Sequence, residues 1–123
     1  MAYSYTVDGR IVHVRWRGTL AGGDLEAFGK EMPLLGRRLG FAPDVLHTFD
    51  ETVASGFEPI SAYHYSLQLK QVKIPNPIRA AVVASTKQGE AMATVFQTLN
   101  RTPNLELRIF ATEDAALRWL ARE

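Results

Sequence analysis

Two short runs that mix apolar and polar residues open the chain. Ser4–Val7 and Ile11–Arg17 flank Asp8-Gly9. An Asp-Gly pair tolerates positive φ, so the two runs are predicted to pair as a hairpin. In the second run Val12, Val14 and Trp16 alternate with His13, Arg15 and Arg17. That alternation buries one face of the strand and wets the other. The period then changes. Gly18 and Ala21-Gly22-Gly23 break the strand, and Asp24 is placed to cap a helix. Leu25, Phe28, Met32, Leu35 and Leu39 recur at helical spacing up to about Gly40. Pro33 lies inside this helix, which predicts a kink or an early end near Met32.

The remaining pattern repeats strand and helix. Val45–Phe49 is a β-prone run, expected to be interior. A helix opens at Pro59 with Ile60, Tyr63, His64 and Leu67 as its apolar stripe, and it ends by Val72. Lys73-Ile74-Pro75-Asn76-Pro77 is a connector, too short to divide domains. Ile78–Ala84 is the most apolar run and is expected at the sheet centre. Ser85-Thr86-Lys87-Gln88 reads as a capping box, followed by Met92, Val95, Phe96 and Leu99 along one helical side. Leu105–Phe110 alternates as a half-exposed strand. Thr112 caps a last helix, with Glu113 and Asp114 in its first turn and Ala116, Leu117 and Leu120 facing inward.

The order ββαβαβαβα implies right-handed crossovers between parallel strands. The fold class is therefore α/β: one domain over 1–123, a mostly parallel sheet of about five strands, an antiparallel N-terminal strand and four helices. The wet faces of the second and last strands imply that these lie near edges, or that helices cover one sheet face better than the other.

Composition narrows the function. The chain has 123 residues, 46% hydrophobic and 22% charged, the profile of an ordinary soluble domain. A net charge of +1 gives no electrostatic footprint for nucleic acid. Cysteine is absent, which removes disulfides, thiolate nucleophiles and cysteine metal sites. Met1–Arg10 lacks the apolar core of a signal peptide, and no apolar run reaches the ~20 residues of a membrane span. A cytoplasmic protein is the expectation.

The ending Arg108-Ile-Phe-Ala-Thr-Glu-Asp-Ala-Ala-Leu-Arg-Trp-Leu120 joins a strand closing on Phe to a capped acidic turn and Ala-Leu-x-Trp-Leu. With the apolar strand Ala80–Ala84 and the opening hairpin, it resembles the STAS/SpoIIAA-like family. These are small bacterial domains related in fold to anti-sigma-factor antagonists and, distantly, to CRAL-TRIO lipid-binding domains. The resemblance covers almost the whole chain and implies a non-enzymatic regulatory module that binds a protein partner. In the antagonist branch a Ser or Thr after the third strand, in an Asp-Ser-Ser-Gly-like motif, is phosphorylated by a partner kinase. The matching loop here reads Asp50-Glu51-Thr52-Val53-Ala54-Ser55-Gly56. Asp50 takes the Asp place and Ser55-Gly56 the motif's end, with three extra residues between; alternatively Thr52 takes the hydroxyl role.

The candidate site is thus Asp50, Glu51, Thr52 and Ser55, in a loop running to Phe57 at a strand's carboxyl end. Phosphate there would repel Asp50, Glu51 and Glu58 and reshape the loop or eject a partner. The plainer alternative is that Thr52 and Ser55 only satisfy turn backbone groups. A second reading is a carrier or sensor of a small apolar, lipid-like ligand, held by Phe49, Phe57 and Tyr63 with Phe41 and Tyr65 nearby; such aromatics equally serve a core. A hydrolase built from Ser55, His47 and Asp50 ranks third, because no nucleophile motif supports it. Neither His13, His47 nor His64 stands in a metal-ligand pair, so no metal or cofactor is expected. A second copy of the chain could cover the wet strand faces as a homodimer.

Overall fold

The computed structural model describes residues 3–17, 19–20, 22–49, 54–55, 74–99 and 102–122. Seven strands occur among them: β1 (Tyr3–Asp8), β2 (Ile11–Trp16), β3 (Thr19–Leu20), β4 (Asp44–Phe49), β5 (Ala54–Ser55), β6 (Ile78–Val83) and β7 (Leu105–Phe110). Three helices accompany them: α1 (Gly22–Leu39), α2 (Lys87–Leu99) and α3 (Glu113–Leu120). The helix expected over Pro59–Val72 lies outside the described residues.

Five strands form one sheet in the order β1-β2-β4-β6-β7, antiparallel at β1–β2 and parallel elsewhere. β4 holds the centre, and β6 is interior beside it. Ile78–Ala84 is therefore not the central strand. β2, β4 and β6 bury three residues each, so apolar content alone did not rank them. β3 and β5 form a separate two-stranded parallel sheet, and Ser55 stands opposite Leu20 in it. A short strand thus replaces part of the expected loop.

The steps β2→β4 and β6→β7 run the same way across the sheet, so right-handed crossovers set α1 and α2 on one face. That face carries the larger core, where Phe28 and Leu35 of α1 pack on Tyr3, Val12, Val14, Trp16, Val45 and Ala80. α3 covers the other face, burying Ala116 and Leu120 against Leu46 and Ala81. Its reach is β4, β6 and β7. On that face α3 reaches β2 only at Ile11, which packs against its cluster, and at His13, so Ser4, Thr6 and Arg15 stay exposed. Uneven helical cover therefore explains the wet face of β2, and an edge position that of β7.

Local signals behaved unevenly. The hairpin turn is centred on Gly9-Arg10, one residue beyond the expected pair, because Asp8 already faces Ile11 in the ladder. Gly9 has φ +60, as the first central position of a two-residue hairpin turn requires. α1 begins at Gly22, so Asp24 lies within its first turn rather than at its cap. Pro33 does not end α1. Its cost of about 3 kcal/mol is offset beyond the break by buried Leu35 and by Leu39, which packs against the core. Thr86 caps α2 by accepting a bond from the Gly89 N–H at 3.0 Å. With Gly at that third position, no reciprocal side chain completes a capping box. Thr112 caps α3 as expected, accepting from the Ala115 N–H at 3.2 Å. Leu117 is 38% exposed rather than inward, since Ala116 and Leu120 take the buried stripe.

Trp119 is half-buried beside Phe110, with the guanidinium groups of Arg79 and Arg108 4.9 and 5.5 Å from its ring centre. Trp119→Ala is expected to cost about 2 kcal/mol, between a surface change and full core deletion. A urea titration measures this, and a loss below about 0.5 kcal/mol would mean that the ring contributes no packing.

Candidate functional site

All four parallel strands end at the same edge of the sheet, and α1, α2 and α3 each begin there. The chain leaves β4 at Phe49 and returns in β5 at Ala54–Ser55. The central strand thus ends, directly before the candidate sequence, at the carboxyl edge where ligands and partners of open α/β sheets gather. Asp50, Glu51, Thr52, Phe57 and Tyr63 lie outside the described residues, as does His64. Of Ser55, the backbone register with Leu20 is fixed.

Phe49 is partly buried and packs against the larger core. Its ring stacks on Trp16, with centroids 6.2 Å apart and planes at 15°. Phe41 sits at the opposite end of the sheet, before the first residue of β4, where the Arg10 guanidinium lies 4.5 Å from its ring centre. It cannot join Phe49, since a six-residue strand separates the two by roughly 20 Å. The expected aromatic cluster is broken to that extent.

The histidines fall on opposite faces of the sheet. His47 points to the α1 face, where its ring stacks on Trp16 (6.1 Å, 23°) and meets the edge of Phe28 (5.3 Å). Trp16 Nε1–H donates to His47 Nδ1 at 3.0 Å. Nδ1 is therefore an acceptor, and the neutral ring carries its proton on Nε2. Although part of the residue reaches the surface, burial of the ring pushes its pKa down to about 4, with a smaller contribution from His13. His47 is a structural residue whose basic nitrogen is already used, so the Ser55–His47–Asp50 arrangement lacks its base.

His13 points to the α3 face. Its Nε2 lies 3.0 Å from Thr48 Oγ1, and its Nδ1 lies 3.9 Å from Glu113 Oε1 at the start of α3. Burial and Arg15 lower its pKa, and Glu113 partly opposes them. Acid, imidazole and hydroxyl thus stand in sequence. The acid is too distant for a hydrogen bond and cannot fix the ring as a catalytic triad requires. The hydrogen-bond contact ties β2 to β4, and the start of α3 only lies loosely against it. Sequence alternation marked His13 and Thr48 as polar positions, but only the strand order brings them together.

The amino edge is also built of charges. Asp44, buried, accepts from the Arg79 N–H at 2.8 Å and from Arg122 Nη1 at 2.7 Å. Arg79 Nη1 donates to the Trp119 carbonyl at 2.6 Å. A groove of about 480 Å³ runs beside them, lined by Pro77, Ile78, Asn104, Leu105 and Glu106 as well as the two arginines. Its cations are held by Asp44 and by backbone carbonyls, which makes the edge a fastening for the end of α3.

The arrangement has a counterpart in an uncharacterized protein of the DUF3478 family from Shewanella loihica PV-4, whose crystal structure shows a SpoIIAA-like fold. The two superpose with a TM-score of 0.57 over 97% of this chain and 92% of that one, at 20% sequence identity. The chain has a SpoIIAA-like fold. No family profile matches the sequence, and no curated protein does. The fold is the one implied by the C-terminal strand–helix pattern and the opening hairpin. Among the described residues, no cluster of His, Asp and Glu is placed to hold a metal ion, and no helix is long and apolar enough to cross a membrane.

Proposed function

We propose that this chain is a regulatory, STAS-like module that binds a protein partner and catalyses no reaction. The observation that carries this reading is where the chain leaves the sheet. The central strand of a SpoIIAA-like sheet, β4, ends at Phe49 on the carboxyl edge, directly before the acidic, hydroxyl-bearing sequence Asp50–Phe57, within which Ser55, in β5, pairs with Leu20. The use of His47 within the core and the loose His13–Glu113 contact favour binding over catalysis. Recognition centres on Asp50, Glu51, Thr52 and Ser55, in the cytoplasm, and added negative charge at Ser55 weakens it.

Affinity capture from the native cell, with wild type, Thr52→Ala, Ser55→Ala and Ser55→Asp, tests this. All three variants should fold with stabilities within about 0.5 kcal/mol of wild type, as surface changes do. Ser55→Asp should lose a partner that wild type and Ser55→Ala retain. If the alanine variants lose stability and capture the same proteins, the loop is structural and the reading fails.

A further inference from the structure

The edge at β1 has features that a solitary sheet edge lacks. β1 is six residues long and carries no Lys, Arg or Pro, and its first charged residue is Asp8 at the turn. Natural edge strands are commonly guarded by such residues, by bulges or by shortness. The ladder from Tyr3↔Trp16 to Asp8↔Ile11 is continuous, so no bulge bends β1 away. Among the described residues, no strand pairs with its outer side.

The flank of α1 above this edge carries a patterned stripe. Tyr3 donates through its hydroxyl to Glu31 Oε1, and Arg38 Nη2 lies 3.4 Å from the Tyr5 hydroxyl. Glu31 and Arg38 therefore face the β1 side of the sheet. Leu34 lies between them at i+3 and i+7 spacing, on the same flank. It is 56% exposed, the most exposed large apolar side chain among the described residues. Helical geometry sets the apolar stripe Phe28, Met32, Leu35 and Leu39 towards the core and leaves Leu34 outside it.

The order acid, leucine, base is complementary to itself when reversed. We infer that β1 and the Glu31–Leu34–Arg38 stripe form the interface of a homodimer in which two copies pair their β1 strands antiparallel about a two-fold axis. The axis passes near Ser4 and Leu34, the midpoints of the Tyr3–Tyr5 and Glu31–Arg38 spans. A two-fold there sets Leu34 beside its own copy and Glu31 of each chain towards Arg38 of the other. β1 contributes Ser4 and Tyr5 without like-charge repulsion, and the two five-stranded sheets become one. An isologous interface requires such self-complementarity. Two short strands and one helical stripe make a small interface, so the dimer is reversible, in the weak class. This proposal is independent of the partner site at the carboxyl edge.

The chain contains no cysteine, so Leu34→Cys supplies a single thiol. A short bis-maleimide linker should join two copies of this variant. It should leave Leu117→Cys monomeric, because Leu117 is exposed on the opposite face of the sheet. Sedimentation from micromolar to millimolar concentration should show wild type dimerising reversibly. Glu31→Lys and Arg38→Glu should each weaken the dimer about tenfold or more, and the double variant should recover most of the loss, since the pairing is then inverted across the axis. Circular dichroism confirms that each variant is folded, and the Leu34→Cys comparison stands if Glu31→Lys is not. A wild type monomeric throughout the range overturns the proposal. So does a dimer indifferent to the charge changes, or equal cross-linking at positions 34 and 117.

Discussion

Replacing Trp16 by alanine is expected to cost about 4 kcal/mol, the scale for deleting a buried tryptophan. Trp16 is 2% exposed and touches Tyr3, Phe28, His47 and Phe49 through ring contacts within about 6 Å. The change opens a cavity where β1, β2, β4 and α1 meet, and it strips His47 Nδ1 of its donor. Against a total stability of about 5–15 kcal/mol for an ordinary domain, that loss leaves little. Trp16→Phe separates the two contributions. It keeps most of the packing and removes the Nε1–H with a part of the indole ring, so its cost should be about 1–2 kcal/mol. Urea titrations of both variants measure the difference. A Trp16→Phe variant as stable as wild type would mean that the hydrogen bond to His47 contributes nothing beyond volume.

Acid should destabilise the fold well before most carboxylates protonate. His47 has its pKa lowered from 6.5 to about 4 in the folded chain. Between those values the unfolded chain binds more protons than the folded one, so stability rises with pH there. On acidification the loss begins near pH 6.5 and is complete near pH 4. Its size is about 3 kcal/mol, from the free energy of one pKa unit applied to the shift. His13 is lowered as well and acts in the same direction. Melting curves at intervals across this window should show the decline, and His47→Gln should flatten it. A wild-type profile already flat over the window would mean that the His47 ring is solvated.

The sequence made some of this architecture legible because certain signals are short-range. The Asp-Gly turn, the Val12–Val14–Trp16 alternation and the Thr112 cap each depend on a few neighbouring residues, and each was found with at most a one-residue shift. Pro33 does not bring the early end, one of its two expected effects, because its penalty is local, whereas the burial of Leu35 that carries α1 past it is tertiary. Ile78–Ala84 looked central because apolar content reports cover on both faces, not strand order. The β3–β5 pair escaped notice because two-residue strands carry no period to read.

The candidate site was legible only as a composition in a place. Its acids and hydroxyls, and its origin at the end of a strand, could be read from the chain. The fate of the histidines could not. His47 and Trp16 are 31 residues apart, and their bond depends on β2 lying beside β4 in one register. The same holds for His13 and Thr48, whereas the salt bridge from Arg122 to Asp44, across 78 residues, depends on the end of α3 lying beside the amino end of β4.

The most direct measurement is site-specific photo-cross-linking in the native cell, with the photoreactive residue placed at Thr52 or at Glu106. Glu106 is the control, because it is exposed near the amino end of β7, at the far edge of the sheet from the loop. The account expects one protein to become covalently joined through position 52, and the adduct to fade when Ser55→Asp is added. Adducts at position 106 with none at position 52 would contradict it, as would a position-52 adduct indifferent to charge at Ser55.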